Sequence, residues 1–168
     1  EIVKMLVEAG ADPHVDHDMP CRSACYINCL DIVKFLVQFG FDVRFADDNV
    51  IRLASMTGYL DQVQYLVDLG ANIHANYEQS VRMACVRGHL AVAQFLVSCG
   101  ADPFALDNWA LRISCANGHI LIVKYLIELG ADITAGDNDA YRRASNAGHD
   151  ALAEYLRRVY ADRGIPLD

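Results

Sequence analysis

Long apolar runs are missing from this chain. No window of about 18 residues is free of polar groups, and the longest apolar candidate, residues 120–123, is interrupted by Lys124. No segment therefore reads as spanning a bilayer. Basic charge is scarce too: 14 Lys and Arg stand against 22 Asp and Glu, a formal net charge of -8. Nucleic acid is held mainly by cations that neutralise phosphates, and anionic lipid by polybasic segments, so neither is expected as a partner. A signal peptide is not visible. The chain opens at Glu1 instead of a Met, and sequence upstream of it is expected. Disorder is not expected, because 54% of the residues are hydrophobic.

Self-similarity dominates what is present. Gly10, Gly40, Gly70, Gly100 and Gly130 recur at a step of 30, and Gly58, Gly88, Gly118 and Gly148 keep the same step, with Asn28 in the fifth place. Leu6, Leu36, Leu66, Leu96, Leu126 and Leu156 form another column, as do Arg22, Arg52, Arg82, Arg112 and Arg142. Ala24, Ala54, Ala84, Ser114 and Ala144 are always small, and Asp12, Asp42, Asn72, Asp102 and Asp132 follow each main glycine by two. Each unit predicts two short helices. The second covers roughly residues 60–69, with Leu60, Val63, Leu66 and Val67 on one stripe and Gln64 and Asp68 opposite. The first covers roughly residues 49–57, with Asp48 or Asn49 as N-cap. Glycine or asparagine ends each helix, since both enter the left-handed region at little cost. Residues 71–78 and their equivalents read as a tight polar finger between pairs. One helix pair cannot bury its own apolar face, so stacked pairs must share a continuous core.

These residues resemble the ankyrin repeat. The segments from Gly88, His89 and Leu90 to Gly100, Ala101 and Asp102, and from Gly118 and His119 to Gly130, Ala131 and Asp132, look like its second helix. The resemblance covers essentially the whole chain and implies an all-α, ankyrin-type helical solenoid with short fingers. Its expected units are a partial repeat at 1–15, repeats at 16–45, 46–75, 76–105 and 106–135, and a C-terminal capping repeat at 136–168. Two departures stand out. The family period is about 33 and its first helix carries Thr-Pro-Leu-His, whereas here the period is 30 and Asn49, Val50, Ile51, Arg52, Leu53 and Ala54 stand in that place. This variant looks like the ankyrin proteins of giant DNA viruses of amoebae. That likeness implies an intracellular, cytoplasmic protein, in the host cell if viral, and it supplies no catalytic residue and no cofactor.

Three constellations could carry chemistry. His14, His17, Cys21, Cys25 and Cys29 have zinc-type ligands at close spacing. Against that, Cys25 shares a column with Ser55, Cys85, Cys115 and Ser145, and Cys21 shares one with Ile51, Val81 and Leu111. Buried thiols of a reduced, intracellular protein are the preferred reading, and no metal site is assigned. His89, His119 and His149 each follow a glycine and, in ankyrins, tie the turn to the neighbouring repeat. The arginine column could attract an anion. An acidic or amide column lies four residues earlier at Asp18, Asp48, Glu78, Asn108 and Asn138, so an internal ladder fixing repeat register is expected instead. No serine or cysteine sits beside a base that breaks the repeat, and the chain is read as a non-enzyme.

The resemblance implies a protein partner, held by the finger tips and the exposed side of the first helices. Positions there vary between repeats while core columns do not, which releases them from packing. Tyr26, Met56, Tyr77, Arg87, Asp107, Trp109 and Asn117 are the expected contacts, because aromatics and arginine commonly anchor interfaces. Trp109 has an equal alternative as a local plug under its finger. Asp16, Asp18, Asp47, Asp48, Glu78, Asp107, Asp137 and Asp139 cluster at the fingers and point to a partner with a basic surface. The alternatives are a targeting or adaptor arm of a larger enzyme or ubiquitin-ligase complex, and a metal- or anion-binding protein. At the ends, Arg157 replaces the valines and isoleucine of its column, which marks a polar cap. Ile2, Val3, Leu6 and Val7 lack a first-helix partner, so either repeats before Glu1 or another molecule covering this face is expected.

Overall fold

A computed structural model describes residues 2–167, without the side chains of residues 17, 18 and 45–48. Among the described residues there are helices and no strands. They run α1 (Ile2–Glu8), α2 (Val15–Tyr26), α3 (Leu30–Gln38), α4 (Phe45–Thr57), α5 (Leu60–Asp68), α6 (Ala75–Arg87), α7 (Leu90–Ser98), α8 (Ala105–Ala116), α9 (Ile120–Glu128), α10 (Ala135–Asn146) and α11 (Asp150–Asp162). Each even-numbered helix pairs with the helix that follows it. The even helices also stack on one another as an inner row, α2 on α4 on α6 on α8 on α10. An all-α solenoid of stacked helix pairs results.

Side-chain size sets the two rows. Ala24, Ala54, Ala84, Ser114 and Ala144 are buried where inner helices meet, and Ser114 Oγ donates to the Cys85 carbonyl of the preceding repeat (3.1 Å). The outer row is held by Leu36, Leu66, Leu96, Leu126 and Leu156, none more than 1% exposed, which line up as one spine. Leu6 belongs to that column by sequence yet is 55% exposed. Bulkier rings sit beside the spine: Phe35, Tyr65, Phe95, Tyr125 and Tyr155 recur at the same step, half-buried. Lysines of the preceding repeat cover three of them, Lys4 over Phe35, Lys34 over Tyr65 and Lys124 over Tyr155. Sequence reasoning missed this column, although its spacing was in plain view.

The fingers differ from expectation. In α6, α8 and α10 the right-handed helix starts just after residues 78, 108 and 138, at the equivalents of residue 49 as expected, and what closes the polar finger ahead of it is a three-residue left-handed turn instead of a projecting loop. It is formed by Asn76, Tyr77 and Glu78 (φ 52, 57 and 62), by Leu106, Asp107 and Asn108, and by Gly136, Asp137 and Asn138. With fewer residues than the family's finger, the chain reverses by this compact route. Asn and Asp make it affordable in energy, because a left-handed residue otherwise costs roughly 1–2 kcal/mol. The column two residues past each glycine opens every finger. Oδ1 of Asp12, Asp42, Asn72, Asp102 and Asp132 accepts the backbone N–H two residues on, at 2.8–3.0 Å. The expected N-caps are otherwise engaged. Asp48 lies outside the described side chains, Asn49 Oδ1 accepts from Arg52, Glu78 pairs with His74 and Asn108 Oδ1 accepts from Asp132 N–H.

Candidate protein-binding surface

The register arginines act within their own repeat. Arg82 Nε donates to the Tyr77 carbonyl (2.8 Å) and its Nη2 to that of Asn76 (3.0 Å); Arg22 and Arg142 reach the Asp16 and Gly136 carbonyls in the same way (3.2 Å). Their principal partners are thus carbonyls five and six residues back, not the side chain four residues back. The reason is the left-handed turn, which points its carbonyls at the guanidinium. A link between repeats does exist where Arg112 Nη1 lies 3.6 Å from Asp139 Oδ2. Asp139 also meets Arg142 and Arg143, so it is spent internally and leaves the acidic edge. Asp18, Asp47 and Asp48 of that edge lie outside the described side chains. Asp16, Asp107 and Asp137 remain exposed, the last two beside Arg112 (3.9 Å) and Arg142 (3.8 Å).

The candidate contact residues fall into two groups. Tyr26, Met56 and Arg87, from three successive repeats, line one groove with Thr57, Tyr59 and His89 at the C-terminal ends of the inner helices. Tyr26 also walls a second groove, with Met19, Arg22, Ile27 and Leu53. Asn117 is exposed at the same end of α8, but its Nδ2 donates to the Val86 carbonyl (2.9 Å), so it also ties two repeats together. The second group sits at the fingers. Tyr77 is 77% exposed. Trp109 is half-buried, with the Arg82 guanidinium 5.1 Å from its ring centre, so the ring packs within the finger and leaves part of its surface open. Asp107 stands at the tip of that finger.

The histidine column joins repeats. Nε2 of His89, His119 and His149 lies 2.8–3.0 Å from the Met56, Val86 and Ala116 carbonyls of the preceding repeat. Each ring rests on the preceding glycine: a Cβ at Gly58, Gly88 or Gly118 would lie under 3 Å from it. Asn28 is tolerated in that column where Tyr59 replaces the histidine.

The cysteine cluster divides differently. Cys21 and Cys25 are fully buried in the core and Cys29 is the residue before α3, while His17 lies outside the described side chains. Among the described residues no three His, Cys, Asp or Glu groups converge as metal ligands. The Cys21 thiol hydrogen-bonds to Cys25 and holds the latter's pKa below its ordinary value against the opposing effect of burial. Burial pushes Cys85 and Cys115 up to about 12.

No helix among the described residues is long and apolar enough to cross a membrane. No curated protein matches the chain closely enough to count as a relative. The family model for ankyrin repeats (3 copies) matches residues 1–77 and 80–163, nearly the full length. Its match agrees with the paired helices, the histidine ties and the glycine turns, and the chain belongs to the ankyrin-repeat family.

Proposed function

We propose that this chain is a binding scaffold that holds a protein partner along its inner helices and finger edge. Ankyrin repeats are generally protein–protein interaction modules and typically not enzymes. The observation that carries the reading is the convergence of Tyr26, Met56 and Arg87 on one groove, although none of them is fixed by a repeat column. Tyr77, Trp109 and Asp107 extend the surface along the fingers, and Asn117 adds an exposed amide at the C-terminal end of α8. Exposed Asp107 and Asp137 favour basic groups on the partner at that edge. The narrower likeness to giant-virus ankyrin proteins rests on the thirty-residue step and the arginine in each first helix. The repeat boundaries at 16–45, 46–75, 76–105, 106–135 and 136–168 belong to the same proposal.

A photo-crosslinking side chain at position 56 tests it in the native cell, with position 94 on the outer row as control. Partner adducts are expected at 56 and not at 94. Equal capture at both positions, or capture at 94 alone, defeats the assignment.

A further inference from the structure

Most arginines among the described residues are tied up within the fold, and Arg87 stands out as one in a groove that is not. All five register arginines are committed: Arg22 and Arg82 to finger carbonyls, Arg52 to Asn49, Arg112 to Asp139 and Asp107, and Arg142 to the Gly136 carbonyl and two carboxylates. Arg87 is different. It is the last residue of α6 and exposed, and it makes no hydrogen bond or ion pair with any described residue. Its backbone places it in the groove with Tyr26, Met56 and Tyr59. His89, the other basic side chain there, has Nε2 at the Met56 carbonyl and Nδ1 packed on Gly58, so its ring is used structurally. Arg87 is thus the groove's one uncommitted cation among the described residues.

We infer that Arg87 is a carboxylate-binding subsite that receives an Asp or Glu side chain of the protein partner, while an adjacent apolar side chain of that partner packs on Met56 and the Tyr26 ring in the same groove. The inference rests on the proposed groove binding and adds the chemistry of the occupant. A guanidinium presents a fork of donors that matches a carboxylate. Charge selects a carboxylate over a phosphate. The chain carries a net charge of -8, and a single uncommitted cation balances a monoanion but leaves a dianion in an acidic field. The partner's footprint is therefore bipolar, with basic groups towards Asp107 and Asp137 at the fingers and an acidic group at the helix ends.

The test selects a displayed library of random 12-residue peptides on the full chain, then measures synthetic versions of the enriched peptides by fluorescence anisotropy. Expected are peptides with Asp or Glu next to an apolar residue. On the wild-type chain, Glu→Gln in such a peptide weakens binding about tenfold, as does Arg87→Gln in the protein, and the two changes together cost little more than either alone. Arg87→Gln leaves the melting temperature unchanged, because the side chain holds nothing in the fold. Peptides weakened by Tyr26→Ala and Met56→Ala but indifferent to Arg87→Gln overturn the subsite and leave the groove standing. Peptides indifferent to all three, or a library yielding no binder, overturn both. Tighter binding of a phosphoserine version than of the Glu version overturns the carboxylate assignment.

Discussion

Gly88 and Gly148 share a backbone conformation but not a neighbour. Both are left-handed, with φ of +79 and +73, yet a Cβ at Gly88 would lie 2.8 Å from His119 Nδ1 while one at Gly148 would meet nothing within 4 Å. Gly148→Ala is expected to cost roughly 1–2 kcal/mol from backbone strain alone. Gly88→Ala costs more, and His119→Ala recovers part of the difference in a double-mutant cycle followed by urea unfolding. Gln62 poses the opposite case. It is fully buried in a column otherwise filled by Ile2, Ile32, Val92, Ile122 and Leu152, and its amide meets no oxygen or nitrogen partner, only a weak hydrogen bond with the Cys25 thiol. Gln62→Leu is expected to stabilise the fold by about 1–3 kcal/mol, because it removes a desolvated polar group; an unchanged or lower urea midpoint refutes this. The buried thiols set a pH limit. Cys85 has its pKa raised from 9.0 to about 12 by burial, so the folded state favours the neutral thiol. That contribution is complete below pH 9 and fades as pH rises from 9 towards 12. The melting temperature is expected to fall across that window, less steeply in Cys85→Ala.

At the scale of one element, the finger is the feature least like its family. Three consecutive left-handed residues would relax if left alone, and the register arginine opposes that by binding their carbonyls. Arg82→Ala removes two such bonds and the stack on Trp109. It is expected to cost about 1.5–3 kcal/mol and to speed amide exchange around residues 76–78 while residues 90–98 stay protected. Uniform exchange changes along the chain would argue against a local lock. The arginine column was legible in the sequence as a regular feature, but its partners were not. A helix read from residue 49 puts position -4 on the same face, which made the acidic column look like the natural partner. The left-handed turn breaks that geometry and offers carbonyls instead, and periodicity carries no sign of φ.

Across the whole molecule, stability is carried by neighbour-to-neighbour packing. Leu96 is fully buried between α7 and its neighbours, so Leu96→Ala is expected to cost about 2–5 kcal/mol. In a stack of this kind the loss falls mainly on adjacent layers. Hydrogen exchange should rise most around Leu66 and Leu126 and least around Leu156, and an equal rise throughout would mean a more global cooperative unit.

The sequence by itself determined the period, the helix pairs, the leucine spine, the small inner column and the left-handed glycine turns, while the histidine ties came from the resemblance to ankyrin repeats. Each feature so determined follows from a residue type whose size or backbone preference is nearly independent of distant context. Only the tertiary structure decided which variable residues share a surface. Tyr26, Met56 and Arg87 are separated by about thirty positions each and meet because successive layers stack in register, while Tyr77 and Trp109 belong to another edge. It also decided that Asn117 and Asp139 are partly or wholly spent on internal bonds and that Arg87 is not. Whether a polar side chain is free depends on atoms brought to it by folding, and a linear pattern does not contain those distances.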